Sequence, residues 1–530
     1  MENAESTDAA VTGRSASGAG VRWGALTADG YATPLLWLLV GTALLRLMLA
    51  AMLGLGIDEA YAVAVARPVQ LSYFDHPPLV FWITALTEWL TGSREPWVLR
   101  VPFILCFAAT TWFLASLGRT LYGPRAGFLT AVVVNLTGLF GVAHGSWILP
   151  DGPLLCALAI AADAVARVCF TRLSRAATAR QWLIVGLAAG AAGLAKYHAI
   201  FLPVGVLLFL ATTRRLGLLR SPWPWVAGAI AIALCTPVAV WNAQHDWASL
   251  RFQLGRAGSS RPGYDPTPFI QNVLGQIGYV LPWVWWPLMV SAAGAWRRRR
   301  GDERAWFLLC LAAGPLVVFT TVALLGTRAL PHWQGPGYLF LMPLLGAALD
   351  ARLSAGDRRA TRWLRVSAGL VTSLAVLIGV QGRTGLLARL APGLVRTGDP
   401  SLELQPWSSV PAAIDEEIRT GGPVAFVATT HWMDGARLGS VWPTTTRGAD
   451  DPAVLVLSDD ARHFPFRTSP RRYAGRTGLL VRRAQPAPLD AAVQRQFASI
   501  VLVRHVTVRR GGQPVIDLEL YRVSGFAPTP

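Results

Sequence analysis

Apolar runs about as long as a bilayer is thick recur along this chain, and they constrain its fold more than any other feature. A helix of ~20 mostly apolar residues crosses ~30 Å of hydrocarbon. Candidate spans lie near 34–53, 97–118, 124–143, 148–170, 181–197, 199–213, 223–241, 271–296, 305–325, 331–349 and 363–381. Composition agrees: of 530 residues, 53% are hydrophobic and only 15% are charged, against ~25% charged in soluble domains. The expected fold is an all-α polytopic membrane protein with about eleven transmembrane helices over 34–381. Disordered, collagen-like and disulfide-scaffold classes are excluded. Cys106, Cys156, Cys169, Cys235 and Cys310 all lie in apolar stretches, so neither a disulfide nor a cysteine metal site is expected.

The net charge of +18 resembles a nucleic-acid signal, but its distribution points to membrane orientation, and no nucleic-acid partner is expected. With a cytoplasmic N-terminus, the inner loops hold Arg119 and Arg125, then Arg167 to Arg180, Arg214 to Arg220, Arg297 to Arg304 and Arg352 to Arg365. The outer loops carry only Arg67, Arg94, Arg251, Arg256, Arg261 and Arg328. An odd number of spans then places the C-terminal part outside the cell. Residues 382–530 read as a small extracytoplasmic α/β domain. A helix is expected over 408–419, strands over 423–430, 453–460 and 478–484, and a hairpin after 499 turning at Gly511-Gly512. Residues 1–33 read as a disordered cytoplasmic tail lacking the order of a signal peptide, and no internal repeat is visible.

Polar residues collect on one side of this topology. His76, His144, His198, His245 and His332 all fall on the outer side, as do Asp58, Glu59, Asp75 and Asp151. Titratable groups at the mouth of an apolar bundle are costly unless they line a wet cavity, so they mark a functional site. An acidic pair just after the first span could instead merely cap the next helix electrostatically, the alternative reading of Asp58 and Glu59 taken alone. The first outer loop, 54–96, is the richest, and its segment Leu79 to Leu90 is too short to span and suits an interfacial helix. Among 48 basic residues Lys196 is the only lysine, at the outer end of an apolar helix. A compact ammonium meets phosphate as a point charge; snorkelling at a helix end is the alternative.

The sequence Asp58-Glu59-Ala60-Tyr61, followed by Leu71-Ser72-Tyr73-Phe74-Asp75-His76-Pro77-Pro78-Leu79, resembles the first outer loop of bacterial glycosyltransferase family 39. Its members are relatives of the lipid A aminoarabinose transferase and of protein O-mannosyltransferases. The resemblance continues through Pro150-Asp151-Gly152-Pro153-Leu154, Gly193-Leu194-Ala195-Lys196-Tyr197, Trp241-Asn242-Ala243-Gln244-His245 and Pro331-His332-Trp333, and weakly at Arg462-His463 and Ala474-Gly475-Arg476. It implies a GT-C fold, a polyprenyl-phosphate sugar donor and an acceptor (lipid, glycan or protein) glycosylated at the outer face of the cytoplasmic, or inner, membrane. It carries the catalytic acidic residue onto Asp58 and its neighbour onto Glu59. Asp75, His76, Asp151 and Lys196 match further family positions, while Ala62 and Val63 replace the aromatics often found after the first motif.

In the chemistry this implies, Asp58 deprotonates the acceptor, and Lys196 and His76 balance charge on the departing lipid phosphate. A single displacement would invert the anomeric centre; the retaining scheme needs a second acid ~5 Å away. Tyr61, Tyr197, His332 and Trp333 complete the donor- and substrate-binding candidates, the last two placed to stack on a sugar or prenyl unit or to anchor at the interface. No cofactor is fixed by the sequence; a divalent cation stays open, with Asp75, His76 and Asp151 as its candidate ligands. The loop 242–270, with Arg251, Arg256, Arg261 and Tyr264, reads either as a mobile lid over the donor or as a plain connector. His431-Trp432-Met433-Asp434 and Arg462-His463 are candidate acceptor contacts or packing residues of the outer domain. Two rival functions share these features: a multi-span transporter and a non-catalytic lipid-binding component of envelope assembly. Transporter sites lie near the midplane between repeated halves, whereas the polar residues here gather at one face.

Overall fold

The computed structural model describes residues 30–258, 265–391, 393, 398–442 and 452–528. The bundle begins with α1 (Ala32–Met52), followed by the shorter α2 (Ile57–Val65) and α3 (Leu79–Thr91). The run continues through α4 (Pro96–Tyr122), α5 (Pro124–Asn135), α6 (Asp151–Phe170) and α7 (Arg175–Ala195). Next come α8 (Phe201–Thr212), α9 (Trp223–Gln244) and α10 (Ala248–Gly258). α11 (Thr267–Val280) and α12 (Pro282–Arg298) meet at a bend of 102°, and α13 (Glu303–Leu324), α14 (Gly335–Ser354) and α15 (Arg358–Thr384) follow.

Six of these, α1, α4, α6, α9, α13 and α15, are long and apolar enough to cross a membrane, or seven spans if the bent pair is one. The chain is a multi-pass membrane protein, but not all eleven expected spans are single long helices. The run expected over 124–143 stops at Asn135 and resumes as a π-helical turn, Leu139–His144. The run over 271–296 breaks at Leu281, a non-glycine residue at φ +75° followed by Pro282. The 181–213 region divides at Lys196, whose extended backbone ends α7 before a 3-10 turn, Tyr197–Ile200. The segment read as an interfacial helix is α3.

Small residues let the helices close up. A Cβ on Gly186 of α7 would come within 2.8 Å of the Ala227 Cα on α9, and one on Gly190 within 2.6 Å of Leu234. Such approach replaces the hydrophobic drive that is missing between helices in lipid. Large apolar side chains such as Trp37, Ile232 and Val317 stay on the outside of the bundle.

The C-terminal part holds α16 (Val410–Gly421), β1 (Phe426–Thr429), α17 (Trp432–Val441), β2 (Ala453–Val456), α18 (Phe464–Arg467) and β3 (Gly478–Arg483). It closes with β4 (Ser499–Arg510) and β5 (Gln513–Ser524). The strands form one mixed sheet in the order β2-β1-β3-β5-β4. β1 runs parallel to β2 and β3, while β5 runs antiparallel to β3 and β4. The β4–β5 turn is Gly511-Gly512, both at positive φ, where a side chain would be strained.

This domain does not stand apart from the bundle. Tyr61, Tyr73 and Phe81 of the first loop share one apolar core with Trp407, Phe464 and Leu518. α17 lies on α2, and a Cβ added to Gly439 would come 2.7 Å from the Ala64 Cβ. The first loop is thus clamped between the membrane helices and the sheet domain.

Candidate functional site

α2 starts at Gly56, and its first turn separates two adjacent carboxylates. Glu59 turns into the bundle, 1% exposed. Its Oε1 accepts from Arg100 Nε at 2.7 Å and from the Ile148 amide at 2.9 Å; its Oε2 accepts from Arg100 at 2.5 Å and from the Gly56 amide at 2.8 Å. The same guanidinium donates to the carbonyls of Ala50, Leu53 and Gly54, satisfying the end of α1. Glu59 therefore makes a complete structural pair and does not face the solvent beside Asp58.

Asp58 is exposed, yet the surrounding protein desolvates it as a recess does. That enclosure raises its carboxyl above the usual carboxylate range, with Arg462 the first opposing influence and Glu403 and Glu59 reinforcing the rise. Lys196 also acts on it electrostatically.

Asp75 sits beside this recess, 6% exposed. Tyr61 donates to its Oδ1 at 2.9 Å, and His76 Nε2 lies 4.0 Å from its Oδ2. Burial pushes the Asp75 carboxyl up to about 6, against the pull of Tyr61 and Arg462. The Tyr61 hydroxyl in turn accepts the backbone N–H of His463, 402 positions away in the chain. His463 is fully buried, its Nδ1 accepts from the Phe74 amide at 3.2 Å, and desolvation lowers it to about 3, so it is neutral. Arg462 holds a left-handed conformation at φ +54° and lies over both the Phe252 ring (5.0 Å) and the Trp432 ring (4.8 Å). A non-glycine residue stays in that region only when its surroundings hold it there.

Lys196 and Asp151 form a second pair, each about 4% exposed. Lys196 Nζ donates to both Asp151 oxygens at 2.9 Å. His144 Nε2 lies 3.8 Å from Asp151 Oδ1, and His332 acts on the same carboxylate electrostatically. His198 feels Lys196, Asp151, His332 and His76 together, and it stacks at 4.7 Å on Phe319 and edge-on to Trp333. Tyr197 shares a 2.8 Å hydrogen bond with Ser249, and His332 meets Tyr279 edge-on.

These groups are one connected cluster. Asp58 is linked electrostatically to Lys196 and to Asp75, and Asp75 to Tyr197. Glu59 is the exception, one helical position away but facing the core. The candidate cation ligands do not converge: Asp151 is taken up by Lys196, and among the described residues no group of three or more His, Cys, Asp or Glu is arranged to hold a metal. The expected lid is partly α10, where Gln253 donates to the Asp75 carbonyl at 2.5 Å and Phe252 packs on Phe74. The side chains of Arg256, Arg261 and Tyr264 lie outside the described residues.

Two arginines were missed. Arg100 and Arg46 stand inside apolar runs, the signal that normally marks an intramembrane charge as significant. Arg46 is buried, donating to Asn135 at 2.7 Å and to the Gly141 carbonyl of the π-helical turn at 3.0 Å, which fixes the turn that carries His144.

Residues 75–241 match the family model described as dolichyl-phosphate-mannose-protein mannosyltransferase. The lipid A galacturonosyltransferase RgtD of Rhizobium johnstonii is 27% identical over 53% of this chain and 58% of its own. The undecaprenyl phosphate-alpha-4-amino-4-deoxy-L-arabinose arabinosyl transferase of Erwinia tasmaniensis is 26% identical over 58% of this chain and 56% of its own. The chain thus spans under two thirds of the length of these relatives. ArnT from Cupriavidus metallidurans shares the fold, with a TM-score of 0.63 at 18% identity over 94% of this chain and 99% of that one; it is also known bound to undecaprenyl phosphate. In its matched segment and its relatives the chain is similar to glycosyltransferases of family 39, and its architecture is the fold that ArnT shows.

Proposed function

We propose that the chain transfers a sugar from a polyprenyl-phosphate donor to a lipid, glycan or protein acceptor at the outer face of the inner membrane. The observation that carries this reading is the exposed Asp58 carboxylate, set in a protein-walled recess with Arg462 and Lys196 within electrostatic reach. An enclosed carboxylate with a raised pKa is a competent general base near neutral pH. In one displacement, Asp58 takes the proton from the acceptor as its oxygen attacks C1, and the C1–O bond to the lipid phosphate breaks. The phosphate leaves with the bonding pair and the anomeric centre inverts. A phosphate needs no strong acid to leave, only cations or donors facing its oxygens.

Lys196 is held by Asp151 with two contacts to one carboxylate, so its ammonium is fixed in place with donor capacity remaining for the phosphate. Asp75 holds Tyr61, and through it the outer domain, against the site; it acts as a positioning residue. His76 remains the second candidate for the phosphate. The names of the relatives support the donor class, since one group uses an undecaprenyl phosphate sugar, and lipid A galacturonosyltransferase supports a lipid acceptor first. The C-terminal domain is taken to be extracytoplasmic and the N-terminus cytoplasmic, on the arginine bias of the loops.

Asp58→Asn tests the assignment. It should abolish transfer, by about a thousandfold or more in kcat, while insertion and thermal melting stay near wild type. Normal turnover by this variant refutes the base.

A further inference from the structure

A cavity of about 950 Å³ lies where the outer ends of three membrane helices meet the sheet domain. Its wall takes Leu53 from the end of α1, Trp97 from the start of α4 and Arg383 from the end of α15. None of Asp58, Asp75, Asp151, Lys196 or Arg462 lines it. Three spans ending together put the cavity at the level of the membrane surface, and the adjoining α3 exposes Trp89 and Leu90 there.

The wall is strongly cationic. Arg94, Arg383, Arg437, Arg509 and Arg510 face it, against Glu95 alone among acids. Two of the five are internally neutralised: Arg94 pairs with Glu88 at 2.6 Å and Arg510 with Asp399 at 2.6 Å. Arg437 is different. It is 5% exposed, yet among the described residues no carboxylate lies within ion-pair distance of it. Its Nη1 reaches the carbonyls of Leu402 and Gln405 only at 3.4 Å, and its Nε–H has no hydrogen-bond partner. A buried guanidinium left this poorly satisfied is costly unless an anion completes it. Ser93 and Ser408 add hydroxyls to the same wall, a set suited to the oxygens of phosphate.

We propose that this cavity binds the phosphate headgroup of an anionic membrane lipid, with Arg437 and Arg383 as its principal donors, separately from the Asp58 recess. The lipid source follows from position: the cavity opens among helix ends, where a headgroup enters while its chains remain in the bilayer.

The full-length protein in nanodiscs of phosphatidylcholine containing phosphatidic acid provides the test, with retained lipid read by native mass spectrometry. The wild type should retain phosphatidic acid over phosphatidylcholine, and Arg437→Gln and Arg383→Gln should each weaken that retention about tenfold. Arg383 is exposed, so its variant carries the test if Arg437→Gln melts early. Unchanged retention in both variants, or equal retention of the two lipids by the wild type, overturns the proposal. Displacement of phosphatidic acid by an equal concentration of inorganic phosphate overturns the lipid source.

Discussion

Asp58 and Glu59 occupy adjacent positions, but four donors hold Glu59 inside the protein while Asp58 looks into the recess. Removing one partner from a buried, hydrogen-bonded pair costs about 3–5 kcal/mol. Glu59→Gln should therefore lower the melting temperature in detergent markedly, whereas Asp58→Asn should not; equal melting of the two variants would contradict the division. The raised carboxyls of Asp58 and Asp75 give a pH dependence with opposite signs for activity and stability. The proposed base works deprotonated, so kcat/KM should fall as pH drops, with its midpoint above the ~3.9 of an ordinary carboxylate, while Asp75 is pushed up to about 6. The native state binds more protons than the unfolded chain between those values, so the Asp75 contribution to stability is fully present below about pH 4 and is lost as pH rises towards 6. Rate and melting measured over that window should move in opposite directions.

At the scale of elements, the critical contact is α17 on α2, where Gly439 has no room for a side chain above Ala64. Gly439→Val should lift the outer domain off the first loop. We expect transfer to fall at least tenfold and the sheet domain to become protease-sensitive while the bundle stays inserted; limited proteolysis checks this. The strands were readable because each is a short apolar run bounded by turn residues, and β1, β2, β3 and the Gly511-Gly512 hairpin lie within the expected stretches. The first-loop acids were readable as charge in an expensive place. What hydropathy does not register is a break within an apolar run: the π-helical turn at Leu139–His144, the bend at Leu281 and the extended Lys196 are backbone events. Nor does a linear reading tell which of two neighbouring carboxylates finds an arginine 41 residues on. Arg462 was visible only as half of a weak Arg462-His463 motif, because its importance comes from which loop it lies against.

At the scale of the molecule, the arginine-rich loops and the sheet domain should lie on opposite faces of the membrane. Asp460→Cys, in a chain whose native cysteines are replaced, should react with an impermeant maleimide added from outside the cell. Labelling only after lysis would reverse the orientation, and with it the side on which sugar is delivered. The site is assembled from distant parts of the chain, since the Tyr61 hydroxyl accepts from the backbone N–H of His463 and Arg462 acts on Asp58 electrostatically. A nascent polypeptide still emerging from the ribosome carries Asp58 and Tyr61 long before it carries Arg462 and His463. On the proposed reaction, competence for sugar transfer is withheld until the segment carrying Arg462 and His463 has been made and has folded onto the first loop, so a product truncated before it would sit in the bilayer inert.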